Sequence, residues 1–474
     1  MSAMILTSFL FGAITVAWWA LVWFVLPFDL RRLSIPALIT LHVGVPVALN
    51  AAVLVFRRWR ARAQRVKAAL AVQQENQAQQ QRIDAARAAH NAQLAERRVS
   101  MQCRGAWINA LIQSEPLAPL PDADLLEVAE RTRGDWAEGV HAALVDLFGK
   151  ALAQIPGNAW LPVYVLPNPQ QDGLAQLELV RKAWQQAAQS AELESAPAQA
   201  DCKFLPGSGA LVDRVLALLA NDPGLPGCLV LGVDSLTEML DQAEDDGDMP
   251  DAETLKQRAI RGQPGRAAAL LLFTRPGLQA STAEFAPAVA TDAYTPYWEQ
   301  QRSAEAGQLS WGRVPTHLQQ GVVAAAPLAQ VAAGAQVLNT EAKGNALTRQ
   351  VQGALEAALI NANLRDLPFD AVDAEPPPLA AQRLVHNSGG VAQAGVRLSA
   401  LALALGYFGC EINVVDEADN LTITFGDTGA AHEPLSLAVA ALRVADTGAP
   451  AVVAQFDAAQ TFNINVLTPA QEPA

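Results

Sequence analysis

The sequence reads Gly207-Ser-Gly-Ala-Leu-Val-Asp-Arg-Val-Leu-Ala-Leu-Leu-Ala220, then a turn rich in Pro and Gly, then Cys228-Leu-Val-Leu-Gly-Val-Asp-Ser235. Apolar residues three and four positions apart predict an amphipathic helix over 210–220. The short apolar run that follows predicts a buried strand over 228–233. A helix packed against a buried strand is the repeating unit of an α/β domain, so this stretch predicts the α/β fold class.

The same alternation continues on both sides of this stretch. Further strands are predicted at residues 160–166, 267–274, 421–425, 451–456 and 462–467. Further helices are predicted at residues 123–131, 136–155, 173–187, 255–260, 348–363, 391–406 and 435–445. Residues 100–474 are therefore expected to form an α/β body, and the sequence leaves open whether residues 100–200 form a separate cap.

The first 56 residues differ from this pattern and predict a transmembrane hairpin. Between Met1 and Leu30 the only charged side chain is Asp29, and the apolar spans 4–28 and 33–56 each exceed the roughly 20 residues that cross a bilayer. The loop between the spans holds two Arg, whereas residues 57–67 hold six Lys and Arg. The positive-inside rule then predicts a two-pass protein of a bacterial inner membrane with both termini in the cytoplasm.

Residues 57–99 predict a helical stalk. They contain no Gly or Pro and are dominated by Ala, Gln and Arg, all of which are compatible with a helix. Their thin apolar stripe does not sustain a heptad, which favours a solvated spacer over a coiled coil.

Charge and cysteine usage exclude several classes of function. Residues 100–474 carry 21 Lys and Arg against 43 Asp and Glu, and a body this acidic repels nucleic acid. Cys103, Cys202, Cys228 and Cys410 lie far apart with no CxxC pair, which excludes a disulfide scaffold and a cysteine-based zinc site. The thiols are expected to be reduced.

Four segments, taken in order, resemble the thiolase-like condensing enzymes, the superfamily of β-ketoacyl synthases. They are residues 207–235, Gly265–Leu272, Thr348–Asn363 with Phe369–Glu375, and Phe425-Gly-Asp-Thr-Gly-Ala-Ala431. The first resembles the nucleophile turn with its helix and strand, and the second resembles a strand of small residues at the dyad of the fold. The third resembles the helix and strand before the first catalytic histidine, and the fourth resembles the turn at the second catalytic histidine. The resemblance covers about residues 200–470, with a diverged region from 276 to 340, and implies a layered fold of duplicated α/β halves that dimerises.

The resemblance also implies a thiolate at a helix start and two histidines. This sequence holds Pro206, Glu375 and Asp427 at those three positions. Proline has no nucleophile, and carboxylates repel the negative charge that the imidazoles would bind. Cys202 lies four residues before the nucleophile position and could replace it only under a different alignment. We therefore expect the family's catalysis to be lost.

Ser208, His386 and His432 are the remaining candidate binding residues. Ser208 is expected to be a helix N-cap, because no GxSxG elbow surrounds it. His386 precedes an Asn-Ser-Gly-Gly turn, which is either a plain helix start or an anion site. His432 lies beside Glu433 and could pair with it in a cleft. No metal or cofactor motif is visible, and the acidic run 241–253 lacks the ligand order of an EF-hand, which predicts a solvated loop.

These observations predict a non-enzymatic, membrane-anchored binding or adaptor protein whose partner is another protein. The general architecture is similar to that of adaptors that accompany lipase effectors of type VI secretion, which implies an effector or a secretion component as partner. The alternative is a membrane-tethered condensing-enzyme subunit or acyltransferase that acts on acyl thioesters with a catalytic partner. A structural spacer of an envelope complex is a third hypothesis.

Overall fold

The computed structural model describes residues 3–25, 34–127, 136–191, 193, 196–236, 262–280, 311–338, 344–370, 377–456 and 461–470. The chain divides into two compact units, Met1–His90 and Asn91–Ala474. The predicted helix at 255–260 and the acidic run 241–253 lie outside the described residues.

The first unit is helical. It contains α1 (Ala3–Phe24), α2 (Ile35–Ile39), a π-helical segment (Thr40–Gly44) and most of α3 (Val45–Glu96). A π-helical segment leaves backbone carbonyl groups without their usual i+4 donors. The indole N–H groups of Trp18 and Trp19 donate to the carbonyl oxygens of Leu41 and His42, at 2.8 and 2.9 Å. These two bonds hold α1 against the π-helical segment.

One helical stretch, Ile35–Glu96, is long and apolar enough to cross a membrane, and the described apolar part of α1, Ser8–Phe24, is shorter. The helix continues without a break across the predicted boundary at residues 56 and 57. Its last turn and the residues after it belong to the second unit, where the Arg98 guanidinium donates to the carbonyl oxygens of Ile360 and Arg365.

Twelve strands of the described residues form one mixed sheet in the second unit, which confirms the predicted α/β class. The strands are β1 (Ser100–Ile112), β2 (Ala123–Glu127), β3 (Val163–Val165), β4 (Cys202–Phe204), β5 (Gly227–Ser235), β6 (Arg266–Thr274), β7 (Ala329–Ala332), β8 (Ala335–Leu338), β9 (Arg383–His386), β10 (Ala418–Asn420), β11 (Ala451–Phe456) and β12 (Thr461–Thr468). Their order is β10-β9-β11-β12-β7-β1-β6-β5-β3-β4, with β2 beside β1 and β8 beside β12.

This order repeats one topology twice. The five strands of the first half, in chain order, are β1, β3, β4, β5 and β6, and those of the second half are β7/β8, β9, β10, β11 and β12. When the strands of each half are numbered 1 to 5 in this order, their arrangement across the sheet is 3-2-4-5-1 in both halves. The fifth strand of each half is antiparallel to its neighbours, and the second strand is parallel to the third and the fourth. The halves join where β1 pairs antiparallel with β7.

The helices of the second unit cover both faces of each half. They are α4 (Trp136–Gln154), α5 (Gly173–Ser190), α6 (Leu211–Asn221), α7 (Thr316–Ala324), α8 (Asn345–Asn361), α9 (Val391–Tyr407), α10 (Leu421–Thr424) and α11 (His432–Thr447). One core cluster packs α4 and α5 on the outer face of the first half, and another packs α8 and α9 on the outer face of the second. The third cluster places α6 and α11 between the halves.

Two local predictions are wrong. Residues 123–127 form an edge strand, β2, parallel to the end of β1, where a helix over 123–131 was expected. Residues 421–424 form a short helix, α10, where a strand was expected. The carbonyl oxygen of Thr424 accepts the backbone N–H of Gln113 at 2.7 Å. This segment is therefore hydrogen-bonded to the loop after β1 and not to a neighbouring strand.

The question of a separate cap at residues 100–200 is answered by β1. This 13-residue strand lies in the middle of the sheet and pairs with β2, β6 and β7. The described residues between 100 and 200 therefore belong to the same compact unit and sheet as the rest of the body.

Candidate functional site at two buried helix starts

The turn before α6 is the segment that resembles a nucleophile turn. Pro206, Gly207, Ser208 and Gly209 are exposed, and both glycines have positive φ, of 85° and 100°. The Arg214 guanidinium donates to the carbonyl oxygens of Leu205 and Pro206 and so fixes the turn to the helix that follows it. Burial lowers the pKa of Arg214.

A carboxylate from the other half of the fold holds the start of α6. Glu433 Oε1 accepts the backbone N–H of Leu211 at 2.6 Å. The N-cap residue is Ala210, which has no capping side chain, so the expectation that Ser208 is the N-cap is wrong. A negative charge is favourable at a helix N-terminus because the backbone dipoles leave partial positive charge there. Glu433 therefore fills the position where the start of α6 would bind an anion.

The turn before α11 is held by Asp234, the last but one residue of β5. Its carboxylate accepts the N–H of Ser235 at 2.8 Å, the N–H of Ala430 at 2.9 Å and the Asn168 amide at 2.7 Å. Burial raises the pKa of Asp234. An added Cβ on Gly429 would lie 2.0 Å from Asp234 Oδ2, so only glycine lets the turn approach this carboxylate.

Asp427 lies half-buried in the same turn. Its Oδ1 accepts the N–H of Gly429 at 3.1 Å, and its backbone bonds to Gln263 and Gly265. The negative charge of Asp427 contributes to the raised pKa of Asp234. The two carboxylates are thus neighbours, and neither is an electrophile that could stabilise an oxyanion.

His432 is the first residue of α11, and its Nδ1 lies 3.5 Å from the hydroxyl oxygen of the buried Thr428. It belongs to the same helix start as Glu433, but Glu433 directs its carboxylate to α6. The structure therefore brings Asp427, His432 and Glu433 to the two helix starts together with the turn that contains Ser208.

A pair of asparagines on β12, which we call the asparagine pair, faces these helix starts. Asn463 and Asn465 alternate with Phe462, Ile464 and Val466, which point into the outer core. The pair therefore faces the central layer, which is the layer of α6 and α11 between the two halves, since successive strand residues point to opposite faces. Asn465 is 0% and Asn463 7% exposed, and neither amide has a hydrogen-bond partner among the described residues.

Register places the asparagine pair between the two turns. Asn463 lies opposite Gln455 on one side and Gln336 on the other. The Gln455 amide donates to the carbonyl oxygen of Glu433 at 3.4 Å. An ideal Cβ on Gly209 would lie 3.8 Å from Gln336 Oε1. Buried amides of this kind are normally satisfied by protein groups, ordered water or a ligand.

Glu375 lies outside the described residues. The strand that follows α8 among the described residues is β9, and it ends at His386. His386 therefore follows a helix and a strand, which is the order that the resemblance implies for the first catalytic histidine. That side chain, however, shares the outer face with Leu384, away from the central layer.

His386 is engaged by backbone groups. Its Nε2 lies 3.2 Å from the carbonyl oxygen of Val414, and its Nδ1 accepts the N–H of Ser388 at 3.3 Å. The side chain is 1% exposed, and burial lowers its pKa from 6.5 to about 4. The structure does not bring His386 to the two helix starts.

The four cysteines are free and buried. Burial raises the pKa of Cys103, Cys202 and Cys228 to about 12 and also raises that of Cys410. Cys202 lies on β4 and packs into the outer core with α4 and α5. None of these thiols lies at the start of α6.

A groove of about 1000 Å³ lies in the first unit and not at the helix starts. The described residues that line it lie on α1 between Ser8 and Ala20 and include Gly12, Ala13 and Ala17. Small residues along one face of an apolar helix are typical of close helix packing in a membrane. Among the described residues, no group of three or more His, Cys, Asp or Glu side chains could hold a metal ion.

No family model matches the chain, and no curated protein matches it. Among solved structures, the peroxisomal thiolase of Saccharomyces cerevisiae aligns with 80% of this chain and 100% of its own, at 10% identity and a TM-score of 0.41. Human mitochondrial 3-ketoacyl-CoA thiolase aligns with 79% of this chain and 100% of its own, at 9% identity and a TM-score of 0.42.

The 3-oxoacyl-(acyl carrier protein) synthase III of Pseudomonas aeruginosa PAO1 aligns with 79% of this chain and 100% of its own, at 16% identity and a TM-score of 0.37. These are the kinds of protein that the four motifs resemble. The duplicated α/β architecture of this chain is established by its own strand pairing.

The buried His386 predicts a pH-dependent stability. A histidine whose pKa is lower in the folded state binds its proton preferentially when unfolded, so stability is lost as the pH falls from 6.5 towards 4. At about 1.4 kcal/mol per pKa unit, the loss is about 3 kcal/mol. Urea titrations of the full-length protein at pH 7, 5.5 and 4.5 should show it. The matched variant His386→Gln keeps a donor for Val414 but does not titrate. An equal pH dependence in both proteins would contradict the assignment.

Proposed function

We propose that this chain is a membrane-anchored binding or adaptor protein without condensing-enzyme activity. The observation that carries the proposal is the contact of Glu433 with the N–H of Leu211. A condensing enzyme of the kind the motifs resemble needs its own thiolate at this helix start, where the dipole lowers the thiol pKa. Here the start of α6 stabilises a carboxylate that belongs to the protein itself.

The surrounding groups support the loss of catalysis. Pro206 offers no nucleophile, and burial holds the thiol pKa of Cys202 at about 12. At the position that the resemblance gives to the second catalytic histidine, Asp427 carries a carboxylate, which would raise the energy of an enolate or oxyanion.

Thiol reactivity tests this part of the proposal. Native full-length protein should take up no iodoacetamide at pH 7.5 in one hour, whereas protein in 8 M urea should take up four equivalents, counted by mass spectrometry. A thiol with a pKa near 12 is almost entirely protonated at that pH, and the thiolate is the reactive form. Rapid labelling of Cys202 in the native protein would favour the rival, an acyltransferase or condensing-enzyme subunit.

The proposed anchor is a two-pass hairpin in a bacterial inner membrane with both termini in the cytoplasm. Support comes from the apolar stretch that begins at Ile35 and from the indole bonds of Trp18 and Trp19 to the π-helical segment. The six Lys and Arg at residues 57–67 favour the cytoplasmic side for the helix exit.

The proposed partner is a protein, namely an effector or a component of a type VI secretion machine. The excess of 43 acidic over 21 basic residues in residues 100–474 favours a partner with a basic face. Such an association forms faster at low salt and weakens as the ionic strength rises.

Crosslinking in intact cells tests the partner. The tagged full-length chain is crosslinked, purified in detergent and examined by mass spectrometry, and parallel samples are crosslinked after the cells are lysed at 0.1 M or 1 M NaCl. Recovery of effector or secretion-spike proteins, reduced at high salt, would support the adaptor. Recovery of acyl carrier protein or of a condensing enzyme would overturn it.

A further inference from the structure

The outer face of α9 carries no charge. The described residues exposed on it are Val396, Ser399, Ala402, Leu403, Gly406 and Tyr407. Val396, Leu403 and Tyr407 are 56%, 61% and 67% exposed. The single charged residue of the helix, Arg397, lies over the ring of Phe456 at 4.9 Å and so points towards the core. An outer helix of a soluble α/β body normally presents charged side chains to water.

The duplicated fold contains its own control for this observation. Helix α5 connects the second and third strands of the first half, as α9 does in the second half. Beyond its first turn, the exposed residues of α5 are Glu178, Lys182, Gln185, Gln186, Gln189 and Ser190. Equivalent positions in one architecture thus carry a solvated face in one half and an uncharged, largely apolar face in the other.

The exposed residues of α9 form a ridge and a groove. Val396, Leu403 and Tyr407 are spaced seven and four residues apart, so they form one row along the helix. Ser399, Ala402 and Gly406 form a row of small residues beside it. A helix with this surface is complementary to itself, because a twofold axis places the ridge of each copy in the groove of the other.

We propose that the outer face of α9 is the interface between two copies of this chain, which pack α9 against α9 about a twofold axis near Ala402. The charge of the body argues for this occupant. Two bodies with 43 acidic and 21 basic residues each repel on average, so a face without charge is where two copies meet with least repulsion. A basic partner would be selected by acidic residues, and this face has none.

The contact is small, because one helix per copy buries less than the roughly 800 Å² per partner of a standard interface. The dimer should therefore be weak and concentration-dependent. This inference does not depend on the adaptor proposal, since an enzyme subunit could pair through the same face.

Disulfide trapping tests the geometry. Ala402→Cys lies at the middle of the exposed row, so two copies related by the axis bring their thiols together. The four native cysteines are buried, which keeps the background low. We expect copper phenanthroline to convert the full-length variant in membranes to a species of twice the chain mass. The matched control is Gln186→Cys on α5, which should stay monomeric.

Two results would overturn the proposal. One is an Ala402→Cys protein that stays monomeric, and the other is an adduct with a protein of different mass, which would assign the face to a foreign partner.

A charge variant gives a second readout. Leu403→Glu puts two carboxylates into the interface, and we expect the dimer dissociation constant, measured by light scattering in detergent, to rise at least tenfold. Leu403 is 61% exposed, so the midpoint of urea unfolding should not change. Gln185→Glu on α5 is the control. An unchanged dissociation constant for Leu403→Glu would contradict the assignment.

Discussion

Replacement of Asp419 by alanine is expected to lower the free energy of unfolding by about 4 kcal/mol, because it leaves a buried guanidinium without its counter-ion. Arg443, on α11, is 1% exposed and Asp419, on β10, is 4% exposed. They form a two-point pair, Nε to Oδ2 at 2.9 Å and Nη2 to Oδ1 at 2.8 Å. Arg443 also donates to the carbonyl oxygens of Ala118 and Pro119. The measurement is urea unfolding of the full-length protein in detergent.

The double variant Asp419→Ala/Arg443→Met is the control for this prediction. It removes both charges, and replacing a buried pair by apolar side chains is often close to neutral. We expect it to recover at least half of the stability that Asp419→Ala loses. A single variant that loses less than about 1 kcal/mol would mean that water reaches Arg443.

The second large effect is expected at Asp234. Asp234→Ala removes the acceptor of three donors, the N–H groups of Ser235 and Ala430 and the Asn168 amide. Each donor left without an acceptor costs about 1 to 3 kcal/mol. The variant no longer has to bury a carboxylate, which offsets part of this cost, so we expect the free energy of unfolding to fall by about 3 kcal/mol. Urea unfolding measures the loss, and limited proteolysis should cut the variant at residues 427–431 before other sites.

Asp234→Asn provides the comparison. The amide keeps one acceptor oxygen but turns a donor towards either Ala430 N or the other two groups, so we expect an intermediate loss. If Asp234→Ala and Asp234→Asn were both as stable as the wild type, the carboxylate would not be what holds the turn before α11.

Much of the secondary structure could be predicted because hydrophobic periodicity carries it. The strand predicted at 451–456 is observed as β11, and that at 462–467 is β12 less its terminal residues. The longest strand, β1, was missed because it contains buried polar residues. Arg104 donates to Thr274 and to the carbonyl oxygens at the end of α7, and the Asn109 amide nitrogen donates to Asp146. Such partners are distant in sequence, so the pattern of β1 resembles a polar segment.

The candidate site was predictable only in outline. The turns around Pro206 and Asp427 were found, because glycines and small residues mark them locally. The role of Glu433 was not, since its bond to Leu211 joins residues 222 positions apart. The asparagine pair left a visible signal, two polar residues at alternate positions in an apolar strand, but only the register shows that they face the central layer.

The bond between Glu433 and Leu211 also has a consequence for synthesis of the chain. The ribosome makes the start of α6 long before the carboxylate that caps it. At about 5 to 20 residues per second, synthesis over the 222 positions that separate Leu211 from Glu433 takes roughly 10 to 45 s. Asp234 is likewise synthesised 196 positions before Ala430, whose N–H its carboxylate accepts. The first half of the body therefore emerges from the ribosome before these hydrogen bonds can form, and α6 becomes fully capped only after the second half has been translated as far as Glu433.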